Sequence, residues 1–131
     1  MGYRSEAVMA VAPEAQSLLL AVFAKYPEVR KLCTTEADDS IPHWNGEENS
    51  WFFRWDHIKW YDSYEEIHVL KKFMDALEEE DWSYFGFEEP DEGCDYNSYR
   101  FVRTGEDHGD IDCQGGAYDF IYPYNCINYH G

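Results

Sequence analysis

An alternation of large side chains in the segment WFFRWD constrains the fold more than any other feature of the sequence. Trp51, Phe53 and Trp55 occupy every second position, which is the periodicity of a β-strand with one buried face. The phase of the apolar positions shifts by one residue after Trp55, so we predict a bulge near Asp56 and His57. We interpret these rings as core and sheet packing rather than as a stacking platform for nucleobases.

Two amphipathic helices are predicted on either side of this strand. Pro13 suits the first position of a helix, and apolar residues then recur at three- and four-residue spacing up to Pro27, where the helix ends or restarts with a further turn. Asp62 and Glu65 form a capping-box pattern. From it a second helix is predicted to run to about Glu79, where acidic residues oppose the helix dipole.

Further strands and loops complete the predicted fold. Four other segments have the alternation or the apolar content of strands, and they are 5–11, 82–87, Tyr99–Arg103 and 117–122. Loops or turns are predicted over 34–49, 88–98 and 104–116. The order β-α-β-α-β-β-β predicts a single α+β domain of residues 1–131, with two helices on one face of a largely antiparallel sheet.

The charge of the chain limits its partners. Ten Lys and Arg against 27 Asp and Glu give a net charge of −17 in 131 residues. Residues 1–72 carry 8 basic and 12 acidic side chains, for −4, whereas residues 73–131 carry 2 basic and 15 acidic ones, for −13. Such a field opposes direct binding of nucleic acid, because phosphates require a positive surface.

Compartment and cysteine chemistry follow from features that the sequence lacks. The sequence contains no apolar run of membrane-spanning length and no secretory signal pattern. We therefore expect a cytoplasmic protein without membrane contact, and four reduced cysteines. A zinc site formed by Cys94, Cys113 and either His108 or His130 stays an alternative, although the closely spaced ligand pairs of structural zinc sites are absent.

Acidic and histidine clusters give no motif for catalysis. Asp107, Asp110 and Asp112 resemble a cation site in composition, but a turn of solvated acids satisfies the same pattern and the EF-hand spacing is missing. No hydrolase, metalloprotease or P-loop motif is present. Asp56 and His57 are the one acid–base pair that the expected bulge singles out. We predict no cofactor and no enzymatic activity.

Three motifs together resemble a known group of proteins. They are the start MGYRS, the segment WDHIKWY and the segment FVRTGED, in this order along nearly the whole chain. The chain resembles a family of small phage- and prophage-encoded proteins that share the pattern M-G-Y-R-S, W-D-x-[VI]-K-W-Y and F-x-R-x-G-E-D. The family implies no catalytic residues. The resemblance implies a viral accessory protein acting in the cytoplasm of the infected host, a class that often inhibits host defence.

Charge asymmetry and resemblance together predict a surface that binds a partner. Residues 78–95 contain nine acids and no Lys or Arg, and nucleic-acid-binding proteins present Lys and Arg grooves that such carboxylates fit. We expect stoichiometric binding to a basic, nucleic-acid-handling host defence protein, with aromatic anchors from Trp82, Tyr84, Phe85, Phe87 and Tyr96. The predicted binding residues are Glu78, Glu79, Glu80, Asp81, Glu88, Glu89, Asp91, Glu92 and Asp95, with Glu106, Asp107, Asp110 and Asp112 as a second patch.

Two other functions stay open from the sequence. One is a protein that sequesters a nucleotide signal in an aromatic pocket lined from Trp51, Trp55 and Trp60, which requires cations to converge there. Those cations would come from Arg54, Lys59, Arg100 and Arg103. The other is a small enzyme that depends on a metal or a thiol. Exposed aromatic strands also allow a homodimer.

Overall fold

The sheet and its helices are seen in a computed structural model, which describes residues 4–44, 48, 50–87, 95–106, 109–118, 121–124 and 126–128. Over these residues three α-helices accompany a five-stranded antiparallel sheet and a separate two-stranded ribbon. The α+β prediction is thereby confirmed. The helices are α1 (Gln16–Lys25), α2 (Pro27–Thr34) and α3 (Glu65–Glu79). The strands are β1 (Ser5–Val11), β2 (Asp39–Pro42), β3 (Trp51–Ile58), β4 (Tyr99–Gly105), β5 (Ile111–Gln114), β6 (Tyr122–Tyr124) and β7 (Cys126–Asn128).

The large sheet has the strand order β2-β3-β1-β4-β5, and every neighbouring pair is antiparallel. β1 is the central strand of this sheet. Its residues 7 to 11 are buried on both faces of the sheet. A strand covered on both faces needs no polar alternation, which explains why the segment AVMAV is continuously apolar.

A bulge interrupts the pairing of β1 with β3. Ser5 pairs with Ile58, but Ala7 pairs with Trp55, so two residues of β3 lie opposite a single residue of β1. The predicted bulge is therefore confirmed. Its second residue, His57, has a φ of 53°, a left-handed conformation that residues other than glycine adopt at a cost of about 1–3 kcal/mol.

A row of aromatic rings forms the core between sheet and helices. Neighbouring rings lie 5.3 Å apart for Trp51 and Phe53, 6.1 Å for Phe53 and Trp55, 5.5 Å for Trp55 and Trp60, and 5.2 Å for Trp60 and Phe101. The indole N–H of Trp55 donates to the carbonyl of Leu32 at 2.9 Å, so its polar atom is satisfied inside the core. The aromatic segment therefore has a structural role.

A smaller apolar cluster covers the opposite face of the sheet. Val8 and Phe52 are buried there with Ile121, and Trp44 stacks on Phe52 with ring centroids 4.7 Å apart. Because both faces are covered, the described part of the sheet offers no open aromatic platform on which nucleobases would stack.

The helix boundaries correct one prediction and confirm another. A 3-10 turn at Pro13–Ala15 precedes α1, and Pro27 starts α2 as expected. The predicted Asp62 cap is wrong, because α3 begins at Glu65 with no side-chain cap. Asp62 instead forms an ion pair with Lys71 Nζ at 2.6 Å.

The predicted loop over 34–49 contains the edge strand β2. Its polar sequence DSIP pairs with β3, and the Asp39 carboxylate accepts a hydrogen bond from Arg54 Nε at 2.6 Å. Ser40 also accepts from the indole N–H of Trp51 at 3.1 Å. An edge strand that is partly exposed on both faces shows little apolar alternation, which is why the pattern was missed.

The predicted strand over 82–87 is wrong. The backbone N–H groups of Phe85 and Gly86 both donate to the carbonyl of Trp82 at 3.1 Å, so this segment is a tight turn. Gly86 has a φ of 70°. Because Trp82 and Phe85 are three residues apart, the turn directs both rings into the core.

The C-terminal predictions are corrected in two places. The predicted turn region 104–116 contains β5, which forms a hairpin with β4. The predicted strand 117–122 is wrong, because residues 117 and 118 form a bend and the next strand begins only at Tyr122. Residues 119 and 120 lie outside the described residues.

Candidate functional site

The last turn of α3 and the residues after it present a group of carboxylates that we call the acidic end. It comprises Glu78, Glu79, Glu80 and Asp81, all exposed, and Asp75 extends it one turn back along the helix. In the part of the chain that the structure describes, none of these five acids forms an ion pair. Hydrogen bonds from Ser83 lower the pKa of Asp81, so this carboxylate stays ionised well below neutral pH.

The two cations of the acidic half are occupied elsewhere. Arg103 pairs with Asp110 and Asp112 at 2.8 Å each. Arg100 donates to the carbonyls of Gly115 at 2.8 Å and Ile121 at 3.0 Å. The acidic end therefore keeps its negative charge.

The acidic end is fixed to the sheet by a phenol–carboxylate hydrogen bond. The Tyr99 hydroxyl, at the start of β4, donates to Glu78 Oε1 at 2.5 Å. Burial, with the hydrogen bond to Glu78, raises the pKa of Tyr99 well above its usual value. The hydroxyl thus remains a donor at any physiological pH, and the end of α3 is held in place.

The backbone at the acidic end is strained. Glu80 caps α3 with a φ of 55° and a ψ of 36°, a conformation that is usually given to glycine at this position. The neighbouring negative charges also oppose the helix dipole, at about 0.3–1 kcal/mol each at low salt. The strain at Glu80 and the negative charges at the C-terminus of α3 therefore lower the stability of the fold.

Replacing Glu80 by glycine is expected to raise the free energy of unfolding by about 1 kcal/mol, because it relieves the left-handed strain and removes one unfavourable charge. Urea denaturation followed by circular dichroism measures the change. The matched control is Glu79→Gly at the last residue of the helix, which removes the same charge but loses helix propensity, so it should change stability by less than about 0.5 kcal/mol. An E80G variant less stable than the wild type would contradict this account of the cap.

Asp95 has a structural role at the other end of the predicted acidic segment. Its carboxylate accepts from the N–H of Asn97 at 2.8 Å, and its own N–H donates to Ser98 Oγ at 3.0 Å, which together form a capping box on the 3-10 turn Tyr96–Ser98. Glu88, Glu89, Asp91 and Glu92 lie outside the described residues.

The second predicted patch is only partly free. Glu106 is exposed, whereas Asp110 and Asp112 hold Arg103, whose guanidinium also donates to Ser5 Oγ at 2.9 Å. Asp107 lies outside the described residues. Tyr99, which holds the acidic end, and Arg103, which holds this patch, are four residues apart on β4, so their backbones are about 13 Å apart along the strand.

The aromatic anchors predicted within the acidic segment divide into two groups. Trp82 and Phe85 are buried and Phe87 is partly buried, so these rings belong to the fold. Tyr84 and Tyr96 are 47% and 49% exposed. They are the two rings of the predicted set that a partner can reach.

The metal and thiol alternatives gain no support from the described residues. No group of three or more His, Cys, Asp or Glu side chains among them is arranged to hold a metal ion. Cys33 is buried, and burial raises the pKa of its thiol, which makes it a poor nucleophile. Cys113 is exposed on β5; Cys94, His108 and His130 lie outside the described residues.

The residues predicted to form a pocket between three tryptophans are only partly brought together. Trp51, Trp55 and Trp60 belong to the core row, and of the predicted set Trp55 and Lys59 line one cleft. Arg54 binds Asp39 and Asp56 at 2.6 Å, while Arg100 and Arg103 are engaged as described above.

A cleft of about 440 Å³ opens instead at the β3 bulge. Apolar side chains and polar ones both line it. The apolar ones are Leu32, Trp55, Ile58 and Ile67, and the polar ones are Arg4, His57, Lys59 and Tyr64 with the acids Glu36, Asp56 and Glu66. The bulge and His57 were singled out from the sequence. Arg4, Tyr64 and the acids Glu36 and Glu66 were not, because the contributions of distant segments to one cleft leave no local pattern.

Comparison of the chain with protein-family models, curated proteins and solved structures finds no match. None of the described helices is long and apolar enough to cross a membrane.

Proposed function

We propose that the chain is a phage-encoded inhibitor of a bacterial nucleic-acid-targeting defence protein, of the anti-CRISPR or anti-restriction type. It binds a basic groove of its target stoichiometrically and keeps nucleic acid out. The observation that carries the proposal is the acidic end of α3, whose exposed carboxylates have no ion-pair partner among the described residues while both arginines of the same half are engaged elsewhere.

The geometry of the acidic end suits this mechanism. Asp75, Glu78 and Glu79 follow at helical spacing on one side of α3, and the bond to Tyr99 fixes the end of the helix against the sheet. Carboxylates held in place lose little entropy on binding. Their combined field attracts a cationic groove and accelerates association at low salt.

Two further observations support selection for binding rather than for stability. The charges oppose the helix dipole, and Glu80 occupies a conformation that favours glycine. Exposed Tyr84 and Tyr96 come from segments next to the acids and supply the aromatic anchors that interfaces favour. The need for solubility explains a high net charge. It does not require acids at the C-terminus of α3, where they oppose the helix dipole, or at Glu80, where the backbone is left-handed.

A pull-down with the tagged chain from bacterial lysate tests the proposal. At about 0.1 M salt we expect recovery of a nuclease or another nucleic-acid-targeting effector, and its loss at about 0.5 M, where the Debye length falls to a few ångströms. Duplex DNA added at low salt should release the same protein. Retention of the captured protein in the presence of excess DNA would contradict occlusion of a nucleic-acid groove.

A further inference from the structure

We draw a further inference from the cleft at the β3 bulge, and it does not depend on the role of the acidic end. It lies where the end of β3, the C-terminal part of α2 with Glu36 beyond it, and the start of α3 meet, and Arg4 also lines it. Its volume falls in the range of small-molecule sites, which are usually apolar clefts with a few converging polar groups.

Three side chains that can donate hydrogen bonds to an anion line this cleft, and they are Arg4, His57 and Lys59. Lys59 is half-buried, and no carboxylate of the described residues lies within ion-pair distance of it. Arg4 Nη1 donates to the carbonyl of His57 at 3.0 Å, and the other N–H groups of the guanidinium have no acceptor among the described residues. His57 itself lines the cleft. These three side chains provide donors suited to a phosphate group.

The lining of the cleft also carries acceptors and an aromatic ring. Glu36 and Glu66 have no ion-pair partner among the described residues, whereas the third acid of the lining, Asp56, pairs with Arg54 at 2.6 Å. Tyr64 is 38% exposed at the rim. Carboxylates accept hydrogen bonds from ribose hydroxyls, and exposed aromatic rings stack on bases. A simple anion would use the cations alone and would be repelled by both glutamates.

Backbone strain is concentrated at the same place. His57 adopts a left-handed conformation at the bulge, and it borders both this cleft and a second one of about 350 Å³. Bulges often direct a side chain toward a site, and strain that is maintained at a cleft indicates a function for it. Glycine would occupy this position without strain but would supply no imidazole.

We propose that this cleft binds a mononucleotide. Its phosphate contacts Lys59, Arg4 and His57, its ribose contacts Glu36 or Glu66, and its base lies against Tyr64. The negative field of the remaining chain is screened over about 8 Å at physiological salt. Short-range donors at the cleft therefore determine binding.

Titration calorimetry at about 0.15 M salt tests the site. The probes are four 5′-nucleoside monophosphates, the four matching nucleosides and inorganic phosphate. We expect at least one monophosphate to bind with a Kd of about 0.1 mM or lower, and its nucleoside and inorganic phosphate to bind at least tenfold more weakly. A Kd above about 1 mM for all four monophosphates would overturn the proposal. Inorganic phosphate that binds as tightly as the monophosphate would also overturn it.

Two variants separate binding from folding. Lys59→Gln should weaken binding of the monophosphate at least tenfold, whereas Lys31→Gln, at an exposed lysine of α2 that does not line the cleft, should leave it unchanged. His57→Gly should weaken binding while raising the thermal midpoint, because it relieves strain. Unchanged affinity in both cleft variants would overturn the assignment. Partner binding at the acidic end should be unaffected, so this proposal and the proposed function can fail separately.

Discussion

Replacing Asp75, Glu79 and Glu80 together by lysine is expected to weaken binding to the captured partner at least about 100-fold. Each replacement places a cation against the partner's cationic groove, and juxtaposed like charges cost several kcal/mol. The same variant should be slightly more stable than the wild type, because lysines near the C-terminus of α3 complement its dipole. Glu78 is left unchanged because it holds Tyr99.

Opposite changes in affinity and stability separate this prediction from general damage to the fold. The matched control replaces Glu28, Glu48 and Glu65 by lysine. These are three exposed acids of the less acidic half, and the two triple variants have the same net charge. It should bind within about threefold of the wild type if the location of charge matters, since remote exposed charges are largely screened. Equal weakening by both variants would assign the effect to net charge and contradict the role of the acidic end.

Phe53→Ala is expected to lower the free energy of unfolding by about 3–5 kcal/mol. Phe53 is fully buried and lies between Trp51 and Trp55 in the core row, with Phe23 of α1 edge-on at 6.4 Å. Its removal leaves a cavity and ends three ring contacts. This loss is a large fraction of the 5–15 kcal/mol that is typical of a domain.

Urea denaturation followed by circular dichroism measures the effect, and Phe53→Leu provides the control. Leucine keeps most of the apolar volume and should cost less than about 1.5 kcal/mol. If the row served as a binding surface, its rings would be exposed and the alanine variant would lose little stability. A loss below about 1 kcal/mol would contradict the structural role assigned to the aromatic segment.

Local patterns in the sequence predicted the elements whose signals are local. Alternation in WFFRWD gave β3, and the shift in its phase gave the bulge at His57. Helical spacing predicted α1 and the whole of α3. In each case the residues of one buried face recur at a regular spacing within a short stretch of sequence, so this spacing alone is sufficient to predict the element.

Elements that depend on distant partners were missed. β2 is a strand because DSIP pairs with β3 and Asp39 meets Arg54, which lies 15 residues away. Trp82 and Phe85 suggested a strand by composition, but a turn buries residues three apart equally well. Short apolar segments do not distinguish these conformations without their tertiary contacts.

The candidate site shows the same limit. Composition located the acids, but it did not reveal that Asp110 and Asp112 hold Arg103, that Asp95 caps a turn, or that Glu78 holds Tyr99. Those roles depend on contacts between strands and turns. The cleft at the bulge was beyond sequence reasoning for the same reason, since residues from 4 to 67 contribute to it.

A titration of the captured partner's DNA binding tests the central claim most directly. The partner is held at a fixed concentration with labelled DNA, and the chain is added while the bound DNA is measured by fluorescence anisotropy. We expect DNA to be released as the chain approaches one equivalent, and we expect the variant with lysine at positions 75, 79 and 80 to release none. Simultaneous binding of DNA and the chain to the partner would contradict it.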